Sequence, residues 1–167
     1  VKPLTINNET LHKFGDFEFA LFPRQGGRMP EPGNLEQLYR MGQFLGRIHA
    51  VAASKPFAYR PHLDIEQWGQ GSRDYLLSNQ CLPKGLIEAY DQITQQLISC
   101  MNQLWREDFP GIRLHGDCHM GNILWRDDHP HFVDFDDART GMMMQDIWLL
   151  ISGDREQKLQ QLEEIVE

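Results

Sequence analysis

The sequence predicts an α+β fold, and three features carry that reading. Two stretches, 34–54 and 85–106, repeat apolar residues at the spacing of a single helix face. Two others, 10–23 and 123–133, read as hairpins of short strand-like runs around a turn. The remainder is punctuated by Gly and Pro, with no internal repeat and no low-complexity segment. A chain of 167 residues is long enough to bury a core of its own.

In the first hairpin, Thr10–His12 and Phe17–Phe22 are the runs, Gly15-Asp16 is the turn, and Pro23 stops the second run. A loop from Arg24 to Gly33 follows, with Gly26-Gly27-Arg28 at its middle. Asn34 then predicts a helix start as N-cap, with Gln37 placed for a capping box. Leu35, Leu38, Gly42, Leu45, His49 and Ala52 share one face, and the run ends near Ser54, before Pro56. Pro56, Pro61, Gly69, Gly71 and Pro83 predict irregular chain over 56–83. The second helix carries a stripe of Leu86, Tyr90, Ile93, Leu97, Met101, Leu104 and Trp105. Ile112–Leu114 is a short apolar run, and Ile123–Trp125 and His131–Val133 read as strands joined by a turn at 126–130. Met142-Met143-Met144 reads as packing. Asp154 predicts a last N-cap, followed by a stripe of Leu159, Leu162, Ile165 and Val166. That stripe reaches Glu167 without a stop signal, and the chain opens on Val1, so a piece of a longer protein is expected.

Composition narrows the function. A formal net charge of -8 argues against nonspecific nucleic-acid binding and against docking on an anionic membrane. Three widely spaced cysteines, Cys81, Cys100 and Cys118, fit reduced thiols better than a disulfide framework. No apolar run approaches the length of about 18 residues that a spanning helix needs. A cytoplasmic protein is the resulting expectation.

Chemistry concentrates late in the chain, in His115-Gly116-Asp117-Cys118-His119-Met120-Gly121-Asn122 and in Asp134-Phe135-Asp136-Asp137. Asn122 precedes the first strand of the second hairpin and Asp134 follows its second strand. Antiparallel pairing therefore returns Asp134 to the side of Asn122, where the two could share a cation. Magnesium takes a few oxygen ligands and keeps its own waters, which suits an Asn with one or two Asp. An Asp followed five residues on by an Asn, and later by a strand-ending Asp, matches the needs of phosphoryl transfer from ATP. A base must orient a hydroxyl, and oxygens must hold Mg²⁺ on the phosphates.

The runs 115–124 and 132–138 resemble the catalytic loop and metal strand of the aminoglycoside/choline kinase-like superfamily. The wider text resembles the bacterial stress response kinase A group (RdoA/YihE type), Ser/Thr protein kinases of that fold. It includes Trp105-Arg106-Glu107-Asp108-Phe109, Ile123–Asp127, Phe19–Pro23 with Gly26-Gly27-Arg28, and Gly46-Arg47-Ile48-His49. The resemblance implies a protein-kinase-like fold of the aminoglycoside phosphotransferase type, mostly the helical C-lobe. Residues 1–28 would be the end of an N-lobe, a hairpin and hinge, and 29–167 a truncated C-lobe. It implies Asp117 as catalytic base, Asn122 and Asp134 as Mg²⁺ ligands and Asp136 in support. It also implies adenine contacts through the backbone of Ala20 and Phe22, with His115 and Asp146 structural. ATP would be the co-substrate and a protein Ser/Thr hydroxyl the acceptor, with a small alcohol as the alternative.

Departures from ordinary protein kinases also carry information. Gly116 stands where they have an Arg, and only eleven residues separate Asp134 from Asp146, so switching by activation-loop phosphorylation is not expected. No Gly-rich loop and no strand Lys precede the hinge, so these 167 residues alone are expected to be inactive. Two other classes compete. A zinc hydrolase would use His115, Asp117 and His119 but would leave Asn122 and Asp134 unexplained. A noncatalytic kinase-derived module would not need Asp117, Asn122 and Asp134 together.

Overall fold

Gly15, at φ +61, reverses the chain between two three-residue strands, β1 (His12–Phe14) and β2 (Phe17–Phe19). The two-residue turn falls where Gly and Asp predict it. Both strands are offset from the expected runs: β1 starts at His12 rather than Thr10, and β2 ends at Phe19 rather than Phe22. The pairing Phe14↔Phe17 is set by that tight loop. The structure, a computed structural model, describes residues 2–105 and 111–167. The end of the second predicted helix at residue 106 and the run Arg106-Glu107-Asp108-Phe109 lie outside the described residues.

The chain forms two units, one of Val1–Arg47, Asp117–Asp136 and Asp146–Glu167, the other of Ile48–Gly116 and Asp137–Gln145. Helix α1 (Leu35–Ala52) begins in the first. Asn34 caps it, its Oδ1 accepting the Gln37 N–H at 3.1 Å. The capping box is only half formed, because the buried Gln37 amide turns to the loop and accepts the Glu31 N–H at 2.7 Å. Leu38, Met41 and Leu45 are the most deeply buried side chains of α1, at 2 % exposure or less. Ile123, Leu150 and Ile165 are buried in the same unit.

At the C-terminal end, α5 (Arg155–Val166) has the full capping box that α1 lacks. Asp154 accepts the Gln157 N–H at 3.0 Å, and the Gln157 side chain accepts the Asp154 N–H at 2.9 Å. Its buried face differs from the predicted stripe: Leu159 and Val166 are exposed, while Gln161 and Ile165 are buried. Gln161 can be buried because its amide satisfies both backbone groups of Ser152, at 3.0 and 2.8 Å.

In the second unit the stretch expected to be irregular contains helix. Asp64 accepts the Gln67 N–H at 2.6 Å and starts a wide π-helical segment, Ile65–Gly71, that runs into α2 (Ser72–Ser78). Gly69 and Gly71 sit inside that segment instead of breaking it. A 3-10 turn, Lys84–Leu86, leads into α3 (Ile87–Leu104). The apolar stripe predicted for α3 is not its buried face: Leu86, Ile93, Leu97 and Leu104 are exposed, and Ile98 is buried. An ion pair sets the orientation, because half-buried Arg73 of α2 binds Asp91 of α3 as well as its neighbour Asp74. Strand β3 (Ile112–Leu114) pairs antiparallel with an unforeseen strand, β6 (Arg139–Gly141). Met143 and Met144 are exposed rather than packed. Among the described residues no helix is long and apolar enough to cross a membrane.

The two burial patterns predict opposite responses to the same substitution. Leu38→Ala is expected to cost about 2–5 kcal/mol of stability. Leu97→Ala is expected to stay within about 0.5 kcal/mol of the parent. Urea unfolding of the two variants checks this, and a large loss at Leu97 would show that the α3 stripe is a core face after all.

Candidate active site

Two strands of four residues, β4 (Ile123–Arg126) and β5 (His129–Phe132), make the hairpin on which the site is built. The turn is tighter than the five residues expected. Asp127 and Asp128 alone close it, at φ 52° and 58°, and Asp tolerates the left-handed region that this turn demands at both positions. Ile123, Trp125, Pro130 and Phe132 are buried, so one face of the hairpin is anchored by alternation. Ile123 faces Phe132, and the Val133 N–H donates to the Asn122 carbonyl at 3.0 Å. The ladder therefore extends one step past both strands and leaves Asn122 and Asp134 at the same end of the hairpin. Asp134 turns out of the strand at φ 64°.

The loop before β4 is held by its own hydrogen bonds. A 3-10 turn, Met120–Asn122, ends on Asn122, whose Nδ2 donates to the Asp117 carbonyl at 2.9 Å and to the Asp117 Oδ2 at 3.2 Å. The amide end of Asn122 is thus spent on the loop, and its Oδ1 is the end suited to a cation. His119 starts the turn, its Nδ1 accepting the Gly121 N–H at 2.9 Å. Its Nε2 lies 3.5 Å from the Asp117 Oδ2. Asp117 and Asn122 are half-buried, and Asp134 and Asp136 are exposed. An amide oxygen and exposed carboxylates are the hard donors that magnesium prefers.

The zinc set of His115, Asp117 and His119 is not assembled. Both ring nitrogens of His119 are engaged within the loop, and His115 is buried at 1 % exposure. Among the described residues no three His, Cys, Asp or Glu side chains gather where they could hold a metal. The expected magnesium set is smaller, an Asn with one Asp, with waters to complete the shell.

Around the loop, Asp146 is fully buried in the first turn of α4 (Met144–Trp148). Cys118 is also fully buried; burial pushes its thiol well above the usual range, and Asp146 and then Asp117 add to the rise. It is therefore a neutral packing group and not a nucleophile. Gly116 has φ +88, and a Cβ there would lie 2.2 Å from the Asp137 carbonyl oxygen. The position held by Arg in ordinary protein kinases has no room for any side chain. Arg139 occupies the space beside it, donating to the same carbonyl at 2.7 Å and to Asp137 Oδ1 at 2.6 Å.

Upstream, Ala20 and Phe22 lie beyond β2 rather than within it, outside any regular element. The Leu4 N–H donates to the carbonyl of Leu21 between them, at 2.7 Å. Arg28 pairs with Trp125 of β4 through two backbone bonds, at 3.1 and 2.7 Å, which ties the glycine-rich loop to the hairpin. The sequence alone signalled neither that pairing nor the place of His119.

A family model described as "Phosphotransferase enzyme family" matches residues 2–167. The chain belongs to this family. Among phosphotransferase relatives, the serine/threonine protein kinase RdoA of Salmonella typhimurium is 41% identical over 165 residues, covering 99% of this chain and 50% of that protein. Stress response kinase A of Escherichia coli strain K12 is 42% identical with the same coverage. The chain thus spans about half the length of the curated relatives it matches. Solved phosphotransferases share the fold. The gentamicin–APH(2")-IIa complex matches with a TM-score of 0.70 at 15% identity, over 93% of this chain and 57% of that one. The amicoumacin kinase hAmiN, solved with AMP-PNP, Ca²⁺ and Ami, matches with a TM-score of 0.65 at 18% identity, over 99% of this chain and 54% of that one. The expected aminoglycoside phosphotransferase-type kinase fold is therefore the fold of this chain.

The thiols of this chain should separate by burial. Cys81 and Cys100 are exposed and Cys118 is buried. Iodoacetamide on the folded protein is expected to label the first two and spare Cys118 at neutral pH, where a raised thiol pKa keeps it protonated. Mass mapping of the labelled peptides reads the result, and prompt labelling of Cys118 would overturn its assignment as an inert core thiol.

Proposed function

We propose that this chain forms the catalytic part of an ATP-dependent kinase that transfers the γ-phosphate to a Ser/Thr hydroxyl of a protein. One observation carries the reading. The bond from Val133 N–H to the Asn122 carbonyl and the bonds from Asn122 Nδ2 to Asp117 tie base, amide and strand-ending acid into one small framework. In this reading Asp117 orients the acceptor hydroxyl and takes its proton. Asn122 Oδ1 and Asp134 would hold Mg²⁺, with Asp136 in support, and the bound ion would neutralise charge on the phosphates. Ala20 and Phe22 would present backbone groups to adenine. Leu21, between them, already spends its carbonyl on the Leu4 N–H. Gly116 and the absence of a phosphate-gripping Arg support activity without a phosphorylated activation loop.

The choice of a protein acceptor is supported by the serine/threonine protein kinase named among the relatives at 41% identity. A cytoplasmic location follows from the same reading. The test is an acceptor screen with γ-labelled ATP on the full-length protein and its Asp117→Ala variant. Removing a general base is expected to lower turnover by about 10²–10⁴-fold. Labelled protein that disappears in the variant is the expected result. Labelled small alcohols instead would move the acceptor to a small molecule, and label that persists without Asp117 would reject the mechanism.

A further inference from the structure

His119 is a polar side chain of the catalytic loop that the proposed chemistry leaves without a task, and its ring is constrained at Nδ1. Its Nδ1 accepts the Gly121 N–H at 2.9 Å. A backbone N–H can only donate, so Nδ1 presents a lone pair and the neutral ring carries its hydrogen on Nε2. The His119 Nε2 lies 3.5 Å from the Asp117 Oδ2. The same oxygen receives the Asn122 Nδ2–H at 3.2 Å. Gly121 is what permits the arrangement, since a Cβ there would stand 2.7 Å from the His119 Cε1 and 2.9 Å from its Nδ1. The ring therefore lies against the backbone of its own turn, with its outer nitrogen 3.5 Å from the carboxylate.

We propose that His119 is a positioning residue for Asp117. Together with Asn122 it holds Oδ2, so that Oδ1 is the carboxylate oxygen that meets the acceptor hydroxyl. This rests on the reading of Asp117 as general base. In the transfer step the acceptor oxygen bonds to the γ-phosphorus. The bond from that phosphorus to the β,γ-bridging oxygen breaks, ADP leaves with the electron pair, and the hydroxyl proton passes to Oδ1. The Asn122 bond to Oδ2, with a His119 contact that shortens around the transition state, would keep the carboxylate from exchanging its oxygens at the reacting position. Contacts of this kind often run long in a free enzyme and shorten around the transition state.

Three substitutions in the full-length protein separate positioning from mere support of the turn. His119→Asn keeps an acceptor for the Gly121 N–H and loses the reach to Asp117. His119→Gln restores a donor at the distance of Nε2, and His119→Ala removes both. Asn and Ala are expected to lower kcat about tenfold to a hundredfold, with KM for ATP unchanged, and Gln is expected to recover most of the rate. An Asn variant as fast as the parent would mean that His119 only caps the turn, and the proposal would fail.

Nitrogen-15 NMR of the His119 ring gives a readout independent of turnover. The Nε2–H tautomer is expected, and an Nδ1–H tautomer would overturn the arrangement outright. Asp117→Asn tells the two levels apart. If it abolishes transfer and His119→Asn does not, only the positioning role is lost. If it leaves transfer intact, the role of Asp117 is rejected, and that of His119 with it.

Discussion

One short backbone contact organises the candidate site. The Val133 N–H reaches the Asn122 carbonyl and extends the β4–β5 ladder beyond its strands, which brings the end of the Asp117–Asn122 loop and the start of the Asp134 turn to one edge. A hairpin with a two-residue turn has little freedom of register, because a slip by one residue would drive Ile123, Trp125 and Phe132 out of the core. Placement of the carboxylates thus inherits the rigidity of buried apolar packing, and the polar groups need not supply it themselves. This is why a site of exposed acids can be well ordered.

The loop adds a second level of constraint through groups that seldom act in isolation. Asn122 spends its amide hydrogens on Asp117, and His119 spends one nitrogen on Gly121. Each bond removes one rotational choice from a side chain whose other end faces the reacting region. Buried Cys118 and Asp146 lie behind them, the acid near enough to raise the thiol further. Such arrangements trade local solvation for orientation, the usual exchange in preorganised sites.

Much of the site was legible because phosphoryl transfer constrains residue type and spacing together. An Asp, an Asn five residues later and a strand-ending Asp are individually ordinary turn residues, but a hairpin between the last two gives their spacing a geometric meaning. His119 was not legible in the same way. Its proposed role depends on the direction of one N–H bond and on the missing Cβ of Gly121, and spacing carries neither. The Arg28–Trp125 pairing was hidden because a loop rich in Gly and Pro has no periodicity to reveal a partner.

By itself the sequence determined the helices around Leu38 and Ile98, the cap at Asp154, the Gly15-Asp16 turn and the spacing of Asp117, Asn122 and Asp134. These follow from local propensity, periodicity and turn chemistry, which act over a few residues. Tertiary structure decided which face of each helix is buried. In α3 Ile98 is buried while most of a longer apolar stripe is exposed, and in α5 the Gln161 amide is buried because Ser152 offers it two partners. It also decided the partner of β3 and the helix threaded through Gly69 and Gly71. In each case the outcome depends on groups distant in the chain, whose pairing energies no local window of residues contains.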